Sequence, residues 1–281
     1  MTINYEAEYN NRARVPEHEE IFARWASDAD AYRAQANCDL DLAYGDAERQ
    51  KVDVFHPNGT ASQDAPLIMF IHGGYWRSLD RTVFSHLAKG LNAHGFSVAL
   101  PSYTLAPDAS VQQIIDEMVA CTRFLHNRHG KKIVASGHSA GGHLAACLLA
   151  TDWPKLDPGL PADLVSSALA VSGVFDLRPL IHTTNNDALK LDEAMAARVS
   201  PILWEVPKAR TMHLHILVGG AESHEFIRQS KDMAERWAAQ GAKTAYHETP
   251  SANHFTVIDA LADAGSPLTQ DLSLLANHVA G

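Results

Sequence analysis

Lys132-Ile133-Val134-Ala135-Ser136-Gly137-His138-Ser139-Ala140-Gly141-Gly142-His143-Leu144-Ala145-Ala146 decides the reading of this chain. A β-branched apolar run enters a turn flanked by glycines, and a small-residue, helix-forming stretch continues to Ala150. The spacing predicts strand, sharp turn and helix, with Ser139 at the corner, the arrangement of a nucleophile elbow. A serine on so tight a turn sits in strained backbone, so Gly137 and Gly141 are needed to keep side chains off the neighbouring strand and helix. The Ser139 hydroxyl then projects above the sheet. The backbone N–H of Ala140, in the first helical turn, points the same way and is a candidate oxyanion donor. Gly-x-Ser-x-Gly alone is short enough to arise by chance, and it is the strand before it and the helix after it that give it weight.

Working outward, Pro66-Leu67-Ile68-Met69-Phe70-Ile71 is a continuous apolar run, as expected of a strand covered on both faces. It ends in His72-Gly73-Gly74-Tyr75-Trp76. Two successive glycines let backbone N–H groups turn into a concavity, so Gly73 and Gly74 are candidates for the other half of an oxyanion hole. Without the elbow, a plain Gly-Gly turn beside a core aromatic pair would be the simpler reading. Lys51 to His56 alternates as a half-buried strand, residues 58–65 form a polar loop, and residues 80–94 form an amphipathic helix. Strands are expected at 96–100, 167–172, 213–218 and 244–247, with helices at 110–128, 225–240 and 268–278. Strands alternating with helices imply a mostly parallel sheet covered on both faces, an α/β fold. Residues 1–37 read as an N-terminal helical extension followed by a turn-rich stretch. Residues 178–208, with three prolines and no strand pattern, read as a cap-like insertion over the pocket.

With 281 residues, 46% of them hydrophobic, the chain can bury one large core, and one domain over 1–281 is the expectation. The net charge of −10 and the lack of a Lys/Arg cluster argue against nucleic acid. The start, Met1-Thr2-Ile3-Asn4-Tyr5-Glu6, has neither a basic nor an apolar leader region, and no run reaches membrane-spanning length. A cytoplasmic enzyme is therefore expected, with Cys38, Cys121 and Cys147 as reduced packing residues. A small-molecule substrate is the expected partner, with no membrane, no metal and no cofactor, and a homodimer left open. A metallohydrolase would need a dense His/Asp cluster or a His-x-x-x-His pattern, and neither is present.

A serine hydroxyl needs a base, and the base an acid that fixes its tautomer. In the order Ser, acid, His, Glu222 follows the strand 213–218 through Gly219-Gly220-Ala221, and His254 follows the last strand. Among 16 histidines, His254 holds the position after that strand. Glu225 and Asp176 are rivals for the acid, and loop position favours Glu222. His138 beside the nucleophile, Tyr75 and Trp76 beside the glycines, and Trp204 in the insertion are candidate substrate-binding residues.

Together, His72-Gly73-Gly74-Tyr75-Trp76, Gly137-His138-Ser139-Ala140-Gly141, Glu222-Ser223-His224-Glu225-Phe226 with Gln229-Ser230, and Asn253-His254-Phe255 resemble the arylformamidase (kynurenine formamidase) branch of the hormone-sensitive-lipase-like esterases. Tyr103-Thr104-Leu105-Ala106-Pro107 matches the wider group, and the ordered matches span about residues 50–260. The wider group has a third glycine where this chain has Tyr75, and Tyr-Trp there favours the formamidase branch. That branch generally has Asp where this chain has Glu222, a carboxylate one methylene longer that can still hold an imidazole. The resemblance implies an α/β-hydrolase that cleaves N-formyl-L-kynurenine to kynurenine and formate, in tryptophan degradation. The bare residues give a serine acyl hydrolase with aromatic residues at its mouth. A carboxylesterase for short aryl or alkyl esters would use the same residues. A binding protein that keeps the fold without chemistry is disfavoured by the intact serine and histidine.

Overall fold

The apolar run around Met69 becomes β3 (Leu67–Ile71), and its burial explains why it lacks polar alternation. Leu67, Met69 and Ile71 point to one face, among Ile114, Met118, Leu144 and Leu148. Ile68 and Phe70 point to the other, among Trp25, Phe84, Leu91 and Leu272. A strand clothed by helices on both sides has no face left for polar residues.

The structure is a computed structural model that describes residues 3–59, 65–208 and 210–280. Around β3 lie β1 (Cys38–Ala43), β2 (Lys51–Phe55), β4 (Val98–Pro101), β5 (Ile133–His138), β6 (Ser167–Val171), β7 (His213–Gly219) and β8 (Lys243–Thr249). They form one eight-stranded sheet in the order β1-β2-β4-β3-β5-β6-β7-β8. β2 pairs antiparallel with β1 and β4, and the other pairings are parallel. β5 lies between β3 and β6, so the elbow opens at the middle of the sheet's carboxyl edge, where open α/β sheets place their sites.

Three sequence expectations are refined. β1 falls in the stretch read as turns, because Cys-Asp-Leu-Asp-Leu-Ala is a largely exposed edge strand without a buried stripe. The helix expected over 80–94 is a 3₁₀ segment, Arg81–Leu87, that passes into an α-helix at Ala88–Ala93. The insertion 178–208 consists of short helical turns at Arg178–His182, Asn186–Leu189, Glu193–Arg198 and Pro201–Leu203. The polar loop expected at 58–65 lies mostly outside the described residues.

The N-terminal extension forms helices at Tyr5–Tyr9, Asn11–Arg14 and His18–Arg33. Tyr9 belongs to the core on the face of the elbow helix, whereas Ile21 and Trp25 belong to the core on the opposite face. The segment between them therefore crosses from one face of the sheet to the other. Its far end is fixed by charge: buried Asp53 on β2 accepts from Arg33 Nη1 at 2.6 Å, pairs with Arg81 Nε at 3.1 Å, and takes the Asp41 N–H at 2.8 Å.

Candidate active site

Ser139 connects β5 to the helix Ala140–Ala150 with φ 56° and ψ −116°, a backbone conformation that side-chain-bearing residues rarely adopt. What holds it there is close packing. A Cβ on Gly141 would run into the Ile71 carbonyl, and one on Gly137 would run into the Gly141 backbone. The Ser139 N–H donates to Val171 O at 2.9 Å, which anchors the turn to β6.

The turn after β3 is strained too. Gly74, Tyr75 and Trp76 have φ of 105°, 50° and 55°. Gly73 presses on the elbow, since a Cβ there would lie 2.8 Å from His138 O and 3.0 Å from Ser139 Cβ. The Gly74 carbonyl is occupied by the Arg77 N–H at 3.1 Å and the Ser78 hydroxyl at 3.0 Å. The N–H groups of Gly73, Gly74 and Tyr75 have no hydrogen-bond partner among the described residues. The Ala140 N–H opens its helix, where the first turn leaves donors without intrahelical partners. The structure thus brings two sets of free donors to the serine.

His254 and Glu222 meet as the loop positions suggest. The His254 ring donates from Nδ1 to Glu222 Oε2 at 2.6 Å. Glu222 Oε1 accepts the Gly219 N–H at 2.7 Å and the Ser172 hydroxyl at 2.5 Å, so the carboxylate is fixed from both sides. A proton fixed on Nδ1 leaves the Nε2 lone pair as the basic position, and His254 and Ser139 line the same pocket. The two loops are laced together, with Ala221 N donating to Ala252 O at 3.0 Å and Gly220 N to Thr249 O at 2.8 Å. Glu225 and Asp176 are engaged elsewhere: Glu225 takes a fork from Arg228, with Nε at 2.8 Å, and Asp176 pairs with Arg178 at 2.7 Å. Ser172, at φ 51°, was not singled out in the sequence, and its role as a carboxylate clamp depends on β6 and β7 being neighbours.

His138 lines the pocket, but its Nε2 donates to His254 O at 2.7 Å and its ring lies 4.7 Å from the His254 ring. Burial, and then the neighbouring His254, push its pKa well below the ordinary value, so it stays neutral and steadies the His254 loop. Tyr75 also lines the pocket, with its hydroxyl donating to Tyr9 O at 2.7 Å. The two tryptophans are placed differently from the sequence expectation. Trp76 is fully buried edge-on to His143, at 4.9 Å between ring centroids, and does not line the pocket. Trp204 donates to Arg198 O at 2.9 Å and lies outside the pocket lining.

The aromatic wall comes from elsewhere: Phe22 and Trp25 of the N-terminal extension, and Phe255, join Tyr75 around Ser139. The insertion contributes Thr184 and Asn185. Tyr75 is expected from its place beside the glycines, whereas nothing local in the sequence places Phe22 and Trp25 at the pocket. Among the described residues, no group of three or more His, Cys, Asp or Glu side chains is arranged to hold a metal ion, and no helix is long and apolar enough to cross a membrane.

An eight-stranded, mostly parallel sheet covered on both faces, with a serine at positive φ on its central strand-to-helix corner, is an α/β-hydrolase. The BD-FAE family model matches residues 52–219. The kynurenine formamidase of Danio rerio is 33% identical over 239 residues, covering 82% of this chain and 79% of the relative. That of Salmo salar is 34% identical over 246 residues, covering 85% and 82%. A solved structure from Silicibacter sp. TM1040, provisionally described as a thioesterase, is 32% identical with a TM-score of 0.85, covering 98% of this chain and 99% of that one. Esterase B of a Lactobacillus shares the fold at 18% identity and a TM-score of 0.69, covering 96% of each chain. The chain belongs to the BD-FAE family and to the kynurenine formamidase family, and is a hydrolase enzyme.

Proposed function

We propose that this enzyme hydrolyses an aryl formamide, N-formyl-L-kynurenine, to kynurenine and formate through a formyl-enzyme on Ser139. The observation that carries the reading is a pocket lined by elbow Ser139 and carboxylate-held His254, in a chain about one-third identical to kynurenine formamidases over four-fifths of its length. His254 Nε2 takes the Ser139 proton as Oγ attacks the formyl carbon. The N–H groups of Ala140 and of the Gly73-Gly74-Tyr75 turn receive the oxyanion. An anilide nitrogen is a poor leaving anion, so His254 returns the proton to it as the C–N bond breaks. Water, deprotonated by His254, then attacks the formyl ester and releases formate, restoring Ser139.

A formyl group needs almost no acyl pocket, so binding energy can be spent on orienting the aromatic leaving group against Tyr75, Phe22, Trp25 and Phe255. The reading is tested by kcat/KM for N-formyl-L-kynurenine, p-nitrophenyl butyrate and an acyl thioester side by side. The formamide is expected to be the best substrate, with its turnover lost in Ser139→Ala. A preference for the butyrate ester or the thioester would make the enzyme a carboxylesterase or thioesterase with the same machinery.

A further inference from the structure

The rim of the catalytic pocket carries more positive charge than the local structure uses. Arg12, in the N-terminal extension, lines the pocket and lies over the Phe22 ring at 5.7 Å. Arg77, just past the oxyanion turn, lines the same pocket. Neither guanidinium has an ion-pair or hydrogen-bond partner among the described residues, unlike Arg24, paired with Asp259 at 2.7 Å, and Arg228, paired with Glu225 at 2.8 Å. Asn185 also lines the pocket, is only 6% exposed, and has no hydrogen bond to its side-chain amide. The carboxylate in the wall, Glu6, is already occupied by the Thr184 N–H at 2.8 Å and the Thr184 hydroxyl at 3.0 Å. In a chain of net charge −10, two free arginines and a free amide beside the catalytic serine form a local anion-binding rim.

Given aryl formamide hydrolysis at Ser139, we propose that Arg12 and Arg77, with Asn185, grip a carboxylate on the leaving-group side of the substrate. They select formamides whose amine product carries an amino-acid head over neutral formanilides. The guanidinium fork matches a carboxylate bidentately, and aromatic walls that exclude water strengthen the pair. These residues touch no reacting atom, so they set specificity and take no part in bond breaking.

Titration calorimetry on the full-length enzyme compares L-kynurenine with 2-aminoacetophenone, the same aryl ketone without the amino-acid head. L-Kynurenine is expected to bind at least about tenfold more tightly, as one charge-assisted contact provides, and the gap should shrink with added salt. Arg12→Gln with Arg77→Gln should close most of the gap. In parallel, the double variant should lower kcat/KM for N-formyl-L-kynurenine about tenfold more than for formanilide. Equal binding of the two ketones, or an equal loss on both substrates, overturns the proposal. If N-formyl-L-kynurenine is turned over but the two ketones bind alike, the rim assignment fails and the substrate stands. If it is not turned over, yet kynurenine binds more tightly through the arginines, the substrate fails and the rim stands.

Discussion

Each atom of Glu222 that can accept a hydrogen bond toward the site is engaged: Oε2 by His254, and Oε1 by Gly219 and Ser172. Exchanging one oxygen for an amide would turn an acceptor into a donor facing other donors, and the imidazole would lose its tautomer. Glu222→Gln is therefore expected to fold and bind while kcat falls by up to about 10⁴-fold, the loss seen for the equivalent change in serine proteases. Glu225→Gln should cost stability through Arg228 and leave kcat within a few-fold, and the two rates compared directly decide between the carboxylates. Ser139 is expected to be the residue labelled by a fluorophosphonate probe, with labelling abolished in Ser139→Ala and read by peptide mass spectrometry. The serine and the histidine were legible in the sequence because each lies next to a strand end that composition reveals. The wall residues Phe22 and Trp25 were not, because nothing local to them states which side of a sheet they will meet.

The Tyr5–Tyr9 helix is tied to the molecule by a buried network centred on the Tyr9 hydroxyl. Tyr9 OH donates to Glu225 Oε2 at 3.0 Å and accepts from Gln229 Nε2 at 2.5 Å, while Gln229 Oε1 takes the N–H groups of Phe175 and Asp176 at 2.7 and 2.8 Å. Glu8 adds a bond from the Glu225 N–H at 3.0 Å, where the helix His224–Ala239 begins. Tyr9→Phe leaves one N–H of the buried Gln229 amide without its acceptor, the other still bonding Asp176 O at 3.0 Å, at a cost of about 1–3 kcal/mol. Because the same helix holds Tyr75 through the Tyr9 carbonyl, KM should rise more than kcat falls, and urea melts with steady-state kinetics would show both. Unchanged KM would mean that the wall does not depend on this anchor. At the other end of the extension, Asp53→Asn would leave Arg33 and Arg81 short of a buried partner and is expected to cost about 3–5 kcal/mol, read from the same melts.

Across the whole molecule, buried histidines set the acid limit. Burial lowers His72 and His143 to about 4, the effect of their bonds to the carbonyls of Gly73 and Val199 being smaller, and burial puts His138 well below its ordinary value. An unfolded histidine titrates near about 6.5, so below that pH the unfolded chain binds protons that the native state refuses. Stability should hold near neutrality and fall as pH drops from about 6.5 toward 4, each histidine contributing up to about 1.4 kcal/mol per pH unit. Urea midpoints across that window test it, and His143→Gln should make the slope shallower by about one proton. A flat profile down to pH 5 would contradict it.

What the sequence determined by itself was everything written in local order. The apolar runs become β3 and β5 because a doubly covered strand admits no polar residue. The glycines at 137 and 141 admit Ser139 to a corner where a Cβ would strike β3, and the loops after β7 and β8 carry Glu222 and His254, which meet at 2.6 Å. What only the tertiary structure decided was everything that depends on distant segments meeting. Trp76 entered the core against His143, and Ser172 reached Glu222 from the neighbouring strand. The first residues crossed from one face of the sheet to the other and completed the pocket wall that Tyr75 and Phe255 begin. Periodicity records which face of an element is buried, but not what buries it, because burial free energy is non-directional and any apolar surface of the right shape can supply it.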